Sequence, residues 1–528
     1  MRLALPALCL LALGFLAGCE DASGPNAAPQ PPPGGTLTVI AGSELKDIEP
    51  LLPLVEMATG VRLEMSYMGT LDAVERIQAG ATADAAWLAS NRYAMLVPEV
   101  RSRVAASERT MITPVVLGIK ESKARELGWI NNPDVTWKTI ADAAAAGKFT
   151  FGMTNPASSN TGFSGLLGLA AALSGKGDAL EEGDIDGKQL AGFFASQRLT
   201  SGSSGWLADA FLADQDKVDG IINYASTLLQ LNRDPQMREK LVLIYPRDGL
   251  LSSDYPLMLL NPAKRDAFAK VVEFIRGSAF QTAMTKSTLR RPVNPDVPSE
   301  DPSPSDIAEL PFPGTQAVVD AILTAFEDEL RLPTDSTFVL DVSGSMEGDR
   351  LQALKNSMGG LAGGDSSTSG RFSRFRARER VFLLPFSNLI QEPEKFEMSA
   401  DAAANTRTLQ AITGRVNQLE AKGGTAMFSA TQAAYLAAAA RRRSEPNRFY
   451  SVVLLTDGQS NNGMDAAEFS RWYAALPAAD KGIRVFPVVF GDADTDQLRL
   501  VARLTSGKVF DGRKSDLRGI FKEIRGYQ

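Results

Sequence analysis

The 528-residue sequence has no histidine and only two cysteines. Without an imidazole, Ser-His-Asp and Cys-His nucleophilic catalysis, histidine-ligated zinc and histidine proton shuttles are excluded, because each needs a group that titrates or ligates near neutral pH. Basic charge is also in deficit: 55 Lys+Arg stand against 62 Asp+Glu, a formal net charge of -7. Neutralising a phosphate backbone needs a basic surface, so this balance gives no reason to expect a nucleic-acid partner. Long apolar runs are scarce. One uncharged stretch, 3–17, has the length of a signal-peptide core and falls short of a membrane span, and no other run reaches spanning length. What remains is a globular composition, 44% hydrophobic and 22% charged, in a chain long enough for two or three domains.

The first apolar stretch follows Arg2 and ends in Leu16-Ala17-Gly18-Cys19. These residues resemble a bacterial lipobox, which implies a signal peptide over 1–18 and acylation of the Cys19 thiol. Cys9 would leave with the signal, so the mature fold would hold no disulfide. Residues 19–35 are rich in Pro, Gly, Ala and Asn and cannot bury a core, which predicts a disordered tether. The expected location is extracytoplasmic, with the chain anchored by lipid to an envelope membrane without spanning it.

A second proline-rich stretch, 291–313, carries Pro292, Pro295, Pro298, Pro302, Pro304, Pro311 and Pro313. Helices and central strands tolerate this poorly, so it is the expected linker between domains at 36–290 and 314–528. In the first domain, β-branched runs alternate with helical segments. Strands are expected at 36–41, 62–67, 83–88, 110–119, 149–153, 220–224 and 241–245, and helices at 47–59, 71–79, 136–146, from the 154–162 turn to 173, and at 263–276. This order predicts an α/β fold in which the chain leaves one sheet, enters another and returns, with ligand loops at strand ends. The opening Thr-Leu-Thr-Val-Ile-Ala-Gly-Ser at 36–43, the Gly69-Thr70 turn before Asp72, and Asn155-Pro156 leading into Ser158, Ser159 and Thr161 resemble a bacterial extracellular solute-binding protein of the type II periplasmic fold. The resemblance implies two lobes that close over a small solute, with Ser43, Gly69, Thr70, Ser90, Ser159, Asn160, Thr161 and Tyr224 as ligand-binding candidates. A helix start bearing Ser, Asn and Thr offers free amide hydrogens and hydroxyls, which suits a small anionic solute. Capping of the helix by Ser158 or Ser159 is the competing explanation of those serines.

The second domain begins with an amphipathic helix over 315–330. A buried strand then ends in Asp341, followed by Val342-Ser343-Gly344-Ser345 and a helix over 349–358. Gly423-Gly424-Thr425 precedes a helix at 426–440, and a strand at 451–455 runs into Thr456-Asp457-Gly458. A helix at 465–476, a strand at 484–490, a helix at 495–505, a short strand at 508–510 and a helix from 516 complete the expected order. Strand ends of one parallel sheet bring such separated loops together. The three pieces look like a von Willebrand factor A domain with its metal-ion-dependent adhesion site, in a doubly wound, Rossmann-like fold. The resemblance implies direct ligation by Ser343, Ser345 and Thr425, and by Asp341 and Asp457 directly or through water. Hydroxyl and carboxylate oxygens are hard donors, so the expected cofactor is a divalent cation, Mg2+ first, with Ca2+ or Mn2+ as alternatives. Ordinary carboxylates are ionised at neutral pH, which predicts little pH dependence between about 6 and 8.

Two basic runs, 371–378 and 441–443, read as solvated faces, and the Gly- and Ser-rich segment 359–370 as a flexible loop. The functional expectation is a non-enzymatic binding protein. Its cation would be completed by an acidic residue of a protein partner, with small-solute binding in the first domain. The alternative is a solute receptor of a transport or sensing system that carries the second domain as an accessory.

Overall fold

A computed structural model of the protein describes residues 34–302, 304, 308–513 and 517–528. The signal peptide, the lipidation site Cys19, nearly all of the tether and the expected helix start at 516 lie outside the described residues.

In the N-terminal domain, strand Thr36–Gly42 pairs in parallel with Arg62–Met68 and Ala85–Trp87, and Pro256–Leu259 and Ala106–Arg109 extend this first sheet antiparallel. Strand Met111–Lys120 enters a second sheet with Gly220–Tyr224, Phe151–Thr154 and Gln197–Ser201. It is buried almost throughout, as expected for a strand covered on both faces. The chain returns to the first lobe through Pro256–Leu259 and helix Arg265–Arg276. The helix expected at 47–59 is divided: a tight 3-10 segment Ser43–Leu51 contains Pro50, and a regular helix runs only from Leu52 to Thr59. Pro50 has no N–H to donate, and its ring obstructs the preceding turn, which explains the break.

The C-terminal sheet runs in the order Glu394–Glu397, Arg380–Phe386, Thr334–Asp341, Phe449–Thr456, Arg484–Val489, Phe510–Asp511. All neighbours are parallel except the first pair. One apolar cluster packs helices Asp349–Gly359, Ala402–Asn417 and Leu517–Arg525 on one face, and another packs Met427–Ser444, Ala466–Ala475 and Thr495–Leu504 on the other. This is the doubly wound arrangement. Strand order reverses between Thr334–Asp341 and Phe449–Thr456, and loops leaving the carboxyl ends of two such strands diverge to opposite faces, leaving a crevice. Strand Arg380–Phe386, the edge strand Glu394–Glu397 and helix Ala402–Asn417 were not expected from the sequence.

Three sequence expectations are corrected by packing. Helix Gln316–Ala325 and the wider turn Phe326–Leu330 form where the amphipathic helix was expected, but Val318, Val319, Ile322, Leu323, Phe326 and Leu330 join the core of the N-terminal domain. The helix thus packs with the first domain, not the second. The basic runs are solvated only in part: Arg371 and Arg443 are exposed, but other members are not. Arg376 is buried against Asp328 at 2.7 Å, and Arg441 grips the fully buried Asp335, with Nη2 at 2.7 Å from Oδ1. The 359–370 segment is not a loop: Gly360–Gly364 continues the preceding helix as a wide turn, and helix Thr368–Ser373 docks on the first lobe, where Ser369 Oγ and N donate to Glu75 Oε2 at 2.6 and 2.9 Å.

The C-terminal domain therefore touches both lobes. On the second lobe, the Tyr527 ring lies edge-on to Trp206 at 4.9 Å. Gly526 packs so closely that a Cβ there would come within 2.4 Å of Ser158 Oγ and 2.9 Å of Gly202 Cα. A buried chain of polar contacts joins the domains as well: Asn155 Nδ2 donates to Glu327, Glu327 pairs with Arg331, and Glu379, fully buried, pairs with both Arg331 and Arg525. Burial opposes ionisation of Glu379, yet Arg525 and Arg331 hold its carboxyl below the usual range.

Candidate functional site

The crevice at the strand reversal is built from three loops. The buried run Thr334–Asp341 carries Asp341 to the sheet end, where Ser343 N–H donates to Oδ1 at 2.8 Å and Thr456 Oγ donates to Oδ2 at 2.6 Å. Met346 is fully buried and pins the short helical turn Gly344–Met346. Gly344 N–H donates to Gly423 O at 2.9 Å, which ties the first loop to the second. Ser345 Oγ lies 3.1 Å from Ser343 Oγ and donates to Asp457 Oδ1 at 2.7 Å, which ties it to the third. Asn461 Oδ1 accepts from Thr425 N–H at 2.8 Å and fixes the second loop. A Cβ placed on Gly458 would lie 3.5 Å from both Ser345 Oγ and Thr425 Oγ1. The structure thus brings Asp341, Ser343, Ser345, Thr425 and Asp457 to one place, from segments more than a hundred residues apart at the extremes.

Burial pushes the Asp341 carboxyl above its ordinary pKa and Asp457 adds to the rise, while the Ser343 and Thr456 donors work against it. Arg350 was not foreseen. Its guanidinium bridges Asp457 Oδ2 at 2.8 Å and Asp492 Oδ2 at 2.9 Å, so an internal cation already faces the crevice. Position 350 lies one residue into the helix after the Asp-x-Ser-x-Ser turn, and that placement was its only signal. Among the described residues, no group of three or more His, Cys, Asp or Glu could hold a metal ion. The crevice is of another kind: three hydroxyls and two carboxylates form an all-oxygen donor set, which fits a hard divalent cation and not a soft one.

The N-terminal cleft is different. Its candidates are brought together only in part. Asn160 is buried and donates to Tyr224 Oη at 3.1 Å and Ser253 Oγ at 3.0 Å. Thr161 Oγ1 lies 2.7 Å from Thr154 Oγ1 and 3.2 Å from Ser159 Oγ. Ser159 occupies the helix N-cap position, but its side chain accepts no capping hydrogen bond, so the capping explanation fails for Ser159. Thr70 and Ser90 line a cavity of only about 10 Å3 with Asn160 and Phe312, room for about one water. Ser43 Oγ reaches only the neighbouring Glu44 carboxylate at 3.5 Å, and Gly69 serves close approach: a Cβ there would sit 2.5 Å from Ser158 O across the lobes.

Residues 308–312 of the proline-rich segment pack into this cleft, where a linker between two domains was expected. Leu250 N–H donates to Ala308 O at 2.9 Å and Leu310 N–H to Leu250 O at 2.8 Å. Glu309 accepts from Ser252 N–H on one lobe and pairs with Arg92 on the other. Phe312 stacks near Phe163 at 6.2 Å, and the following helix adds Asp320, which accepts from Tyr93 Oη at 2.8 Å.

Each of the two α/β domains has its own family match. Residues 37–290 match the family model of the bacterial extracellular solute-binding protein, and residues 335–523 that of the von Willebrand factor type A domain. The chain therefore carries a region that matches the bacterial extracellular solute-binding family, followed by one that matches the von Willebrand factor type A domain. A curated relative, an uncharacterized protein of Synechocystis sp., is 25% identical over 203 residues, 38% of this chain. The chain spans 43% of the length of that relative. Similar solved structures include the sulfate-binding protein SubI of Mycobacterium tuberculosis H37Rv, 16% identical with a TM-score of 0.38, covering 49% of this chain and 88% of that one. Another is the periplasmic binding protein AfuA of Actinobacillus pleuropneumoniae, 14% identical with a TM-score of 0.42, covering 56% and 98%. Among the described residues no helix is long and apolar enough to cross a membrane.

Proposed function

We propose that this chain is a lipid-anchored binding protein that recognises an acidic residue of a protein partner through a divalent cation, Mg2+ first and Ca2+ or Mn2+ as alternatives. One observation carries the reading: the hydroxyls of Ser343, Ser345 and Thr425 and the carboxylates of Asp341 and Asp457 converge beside Gly458. When bound, the ion would offer a coordination position to an incoming carboxylate. The chain's own residues do the rest. Asp341 is held in place by Ser343 N–H and Thr456 Oγ, and orients the turn that carries both serine hydroxyls. Asp457 positions Ser345 through one oxygen and holds Arg350 through the other. Both carboxylates are engaged by the chain's own donors, Asp341 by Ser343 and Thr456 and Asp457 by Ser345 and Arg350, which favours recognition over turnover as the reading. Lipid anchoring rests on the 16–19 sequence alone.

The test is thermal unfolding of the metal-depleted full chain with and without MgCl2. A ligand that binds only the folded state raises the unfolding temperature. A rise in the native chain that vanishes in Asp341→Ala supports the reading; an unchanged curve with Mg2+, Ca2+ and Mn2+ alike would end it.

A second role, solute binding in the N-terminal cleft, is favoured by four buried polar atoms without partners: Glu44 Oε1, Asn160 Oδ1, Tyr255 Oη and Arg290 Nε. They belong to one contiguous floor. Arg290 lies over the Tyr255 ring at 4.5 Å and reaches Glu44 O at 3.3 Å, and Tyr224 bridges to Asn160. A floor with both an acid and a guanidinium suits a small solute carrying donors as well as acceptors, more than a plain anion. Phe312 lines the small cavity beside Asn160, so a solute reaching Asn160 from that side would displace it. Small-angle scattering with a panel of such solutes checks this: a solute-induced change in radius of gyration supports the role, and none across the panel removes it.

A further inference from the structure

Opposite the metal face, at the amino ends of the same strands, a cavity of about 270 Å3 lies between the second lobe and the C-terminal domain. Its wall holds Arg198 and Lys217 from the lobe, and Arg442, Arg448 and Arg484 from the C-terminal domain. No Asp or Glu lines it. Of the five cations, only Arg448 has an ion-pair partner, the half-exposed Glu445 at 3.3 Å. Arg198 donates to the carbonyls of Ala195 and Gln197, and Arg442 to those of Ala479 and Lys481. Arg484 stacks over Trp206 at 4.6 Å and donates to Thr200 O at 3.0 Å, and its Nε is shut from solvent with no acceptor.

We infer that this interdomain cavity is a binding site for a multiply charged oxyanion, a phosphate-bearing or polycarboxylate small molecule. Five cations around one cavity, with only two carboxylates near them, Glu445 at Arg448 and Asp214 by Lys217 and Arg484, repel one another, and a protein tolerates that arrangement when a ligand supplies the missing charge. Four are arginines, whose planar forks match carboxylate and phosphate oxygens bidentately. The volume admits more than a single halide and suits a compact polyanion. The titration of the cations agrees: burial, then Arg484 and Arg442, push Lys217 down to about 8, and only Asp214 opposes this. Burial likewise pushes Arg484 down to about 10, where it stays protonated at neutral pH. Because both domains contribute cations, the bound anion would tie the C-terminal domain to the second lobe.

The experiment is titration calorimetry of the full chain with inorganic pyrophosphate and, separately, with citrate, at matched ionic strength. Saturable binding of one or both is expected, and the tighter of the two names the source of the anion. Arg484→Gln should weaken it by about tenfold or more, the loss of one bidentate charged contact. That variant also removes the Trp206 stack, so Lys217→Gln, which leaves the domain contacts intact, should weaken it by a similar factor. Arg125→Gln, an exposed change on the same lobe, should bind as the native chain does. Failure of both anions to bind saturably, or equal affinity in native, Arg484→Gln and Lys217→Gln chains, would overturn the site.

Discussion

At the carboxyl ends of the central strands the C-terminal sheet presents Asp341 and Asp457, with Asp492 just beyond; at the amino ends it presents Arg442, Arg448 and Arg484, with Lys217 and Arg198 added by the neighbouring lobe. Both ends hold charge that the fold leaves partly unbalanced, but in different ways. The acidic end offsets its charge with one internal cation, Arg350. At the basic end, Asp335 is claimed by Arg441 and Glu379 by Arg331 and Arg525, which leaves Glu445, shared with Arg380, and Asp214 as the acids near the cavity's cations. Buried charge without a partner is costly, so a structure that keeps it in a solvent-reachable recess points to an external counter-charge. The comparison teaches that one sheet gathers acidic and hydroxyl oxygens at one end and cations at the other, which are the donor sets of the two proposed recognition chemistries.

The most severe way to disturb this arrangement is Glu379→Ala. Breaking a buried ion network by removing one partner costs about 3–5 kcal/mol, read as a fall in denaturant-unfolding free energy. The variant also leaves Arg331 and Arg525 uncompensated. If stability changed by less than about 1 kcal/mol, Glu379 would not be the counter-charge of Arg331 and Arg525. Next in size is Asp341→Ala. Cation affinity should fall by about a hundredfold, and the unpaired Ser343 N–H and Thr456 hydroxyl should cost about 1–3 kcal/mol in the metal-free chain. Pyrophosphate binding should not change, and a loss there would break the independence of the two ends. Arg350→Ala sharpens the acidic end in the opposite direction. It frees one oxygen of Asp457 from a competing cation, and calorimetry should show Mg2+ affinity rising by about three- to tenfold.

The smallest effect is one of pH. Lys217 has a folded pKa lowered to about 8 from 10.5. The unfolded chain therefore binds more protons between those values, and the anion-free protein should gain stability as pH rises through that window. Anion binding should do the reverse, weakening as Lys217 loses its charge above pH 8. Thermal unfolding at pH 7 and about pH 9, with and without pyrophosphate, should show the anion-induced rise shrinking at the higher pH.

The acidic end was largely legible in the sequence because its parts are local: an apolar run that ends in Asp341, hydroxyls two and four residues later, and two further loops each attached to a strand or helix end. Arg350 and Asp492 escaped because single charges after a turn carry no periodic signal. The basic end was not legible at all. Arg198, Lys217, Arg442, Arg448 and Arg484 come from separate segments of two domains and meet only through docking. Amphipathic helix Gln316–Ala325 shows the same limit: a hydrophobic stripe says that a face is buried, not which domain buries it. The prolines of 291–313 correctly excluded helix over most of that stretch, but Leu310 and Phe312 were the residues that decided its place in the cleft. Strand Arg380–Phe386 was missed although every residue after the first is buried; a short apolar run with Pro385 inside it gives no clear periodicity.

The central claim is that five oxygen-bearing residues at the acidic end form one hard-cation site. It is tested most directly by Mn2+ binding to the metal-depleted full chain, followed by the electron paramagnetic resonance signal of the free ion. One ion bound per chain, released by excess Mg2+, retained in Arg484→Gln and lost when Ser343, Ser345 and Thr425 are replaced together by alanine, is the predicted result. Binding that persists unchanged in the triple variant, or no binding in the native chain, would contradict it.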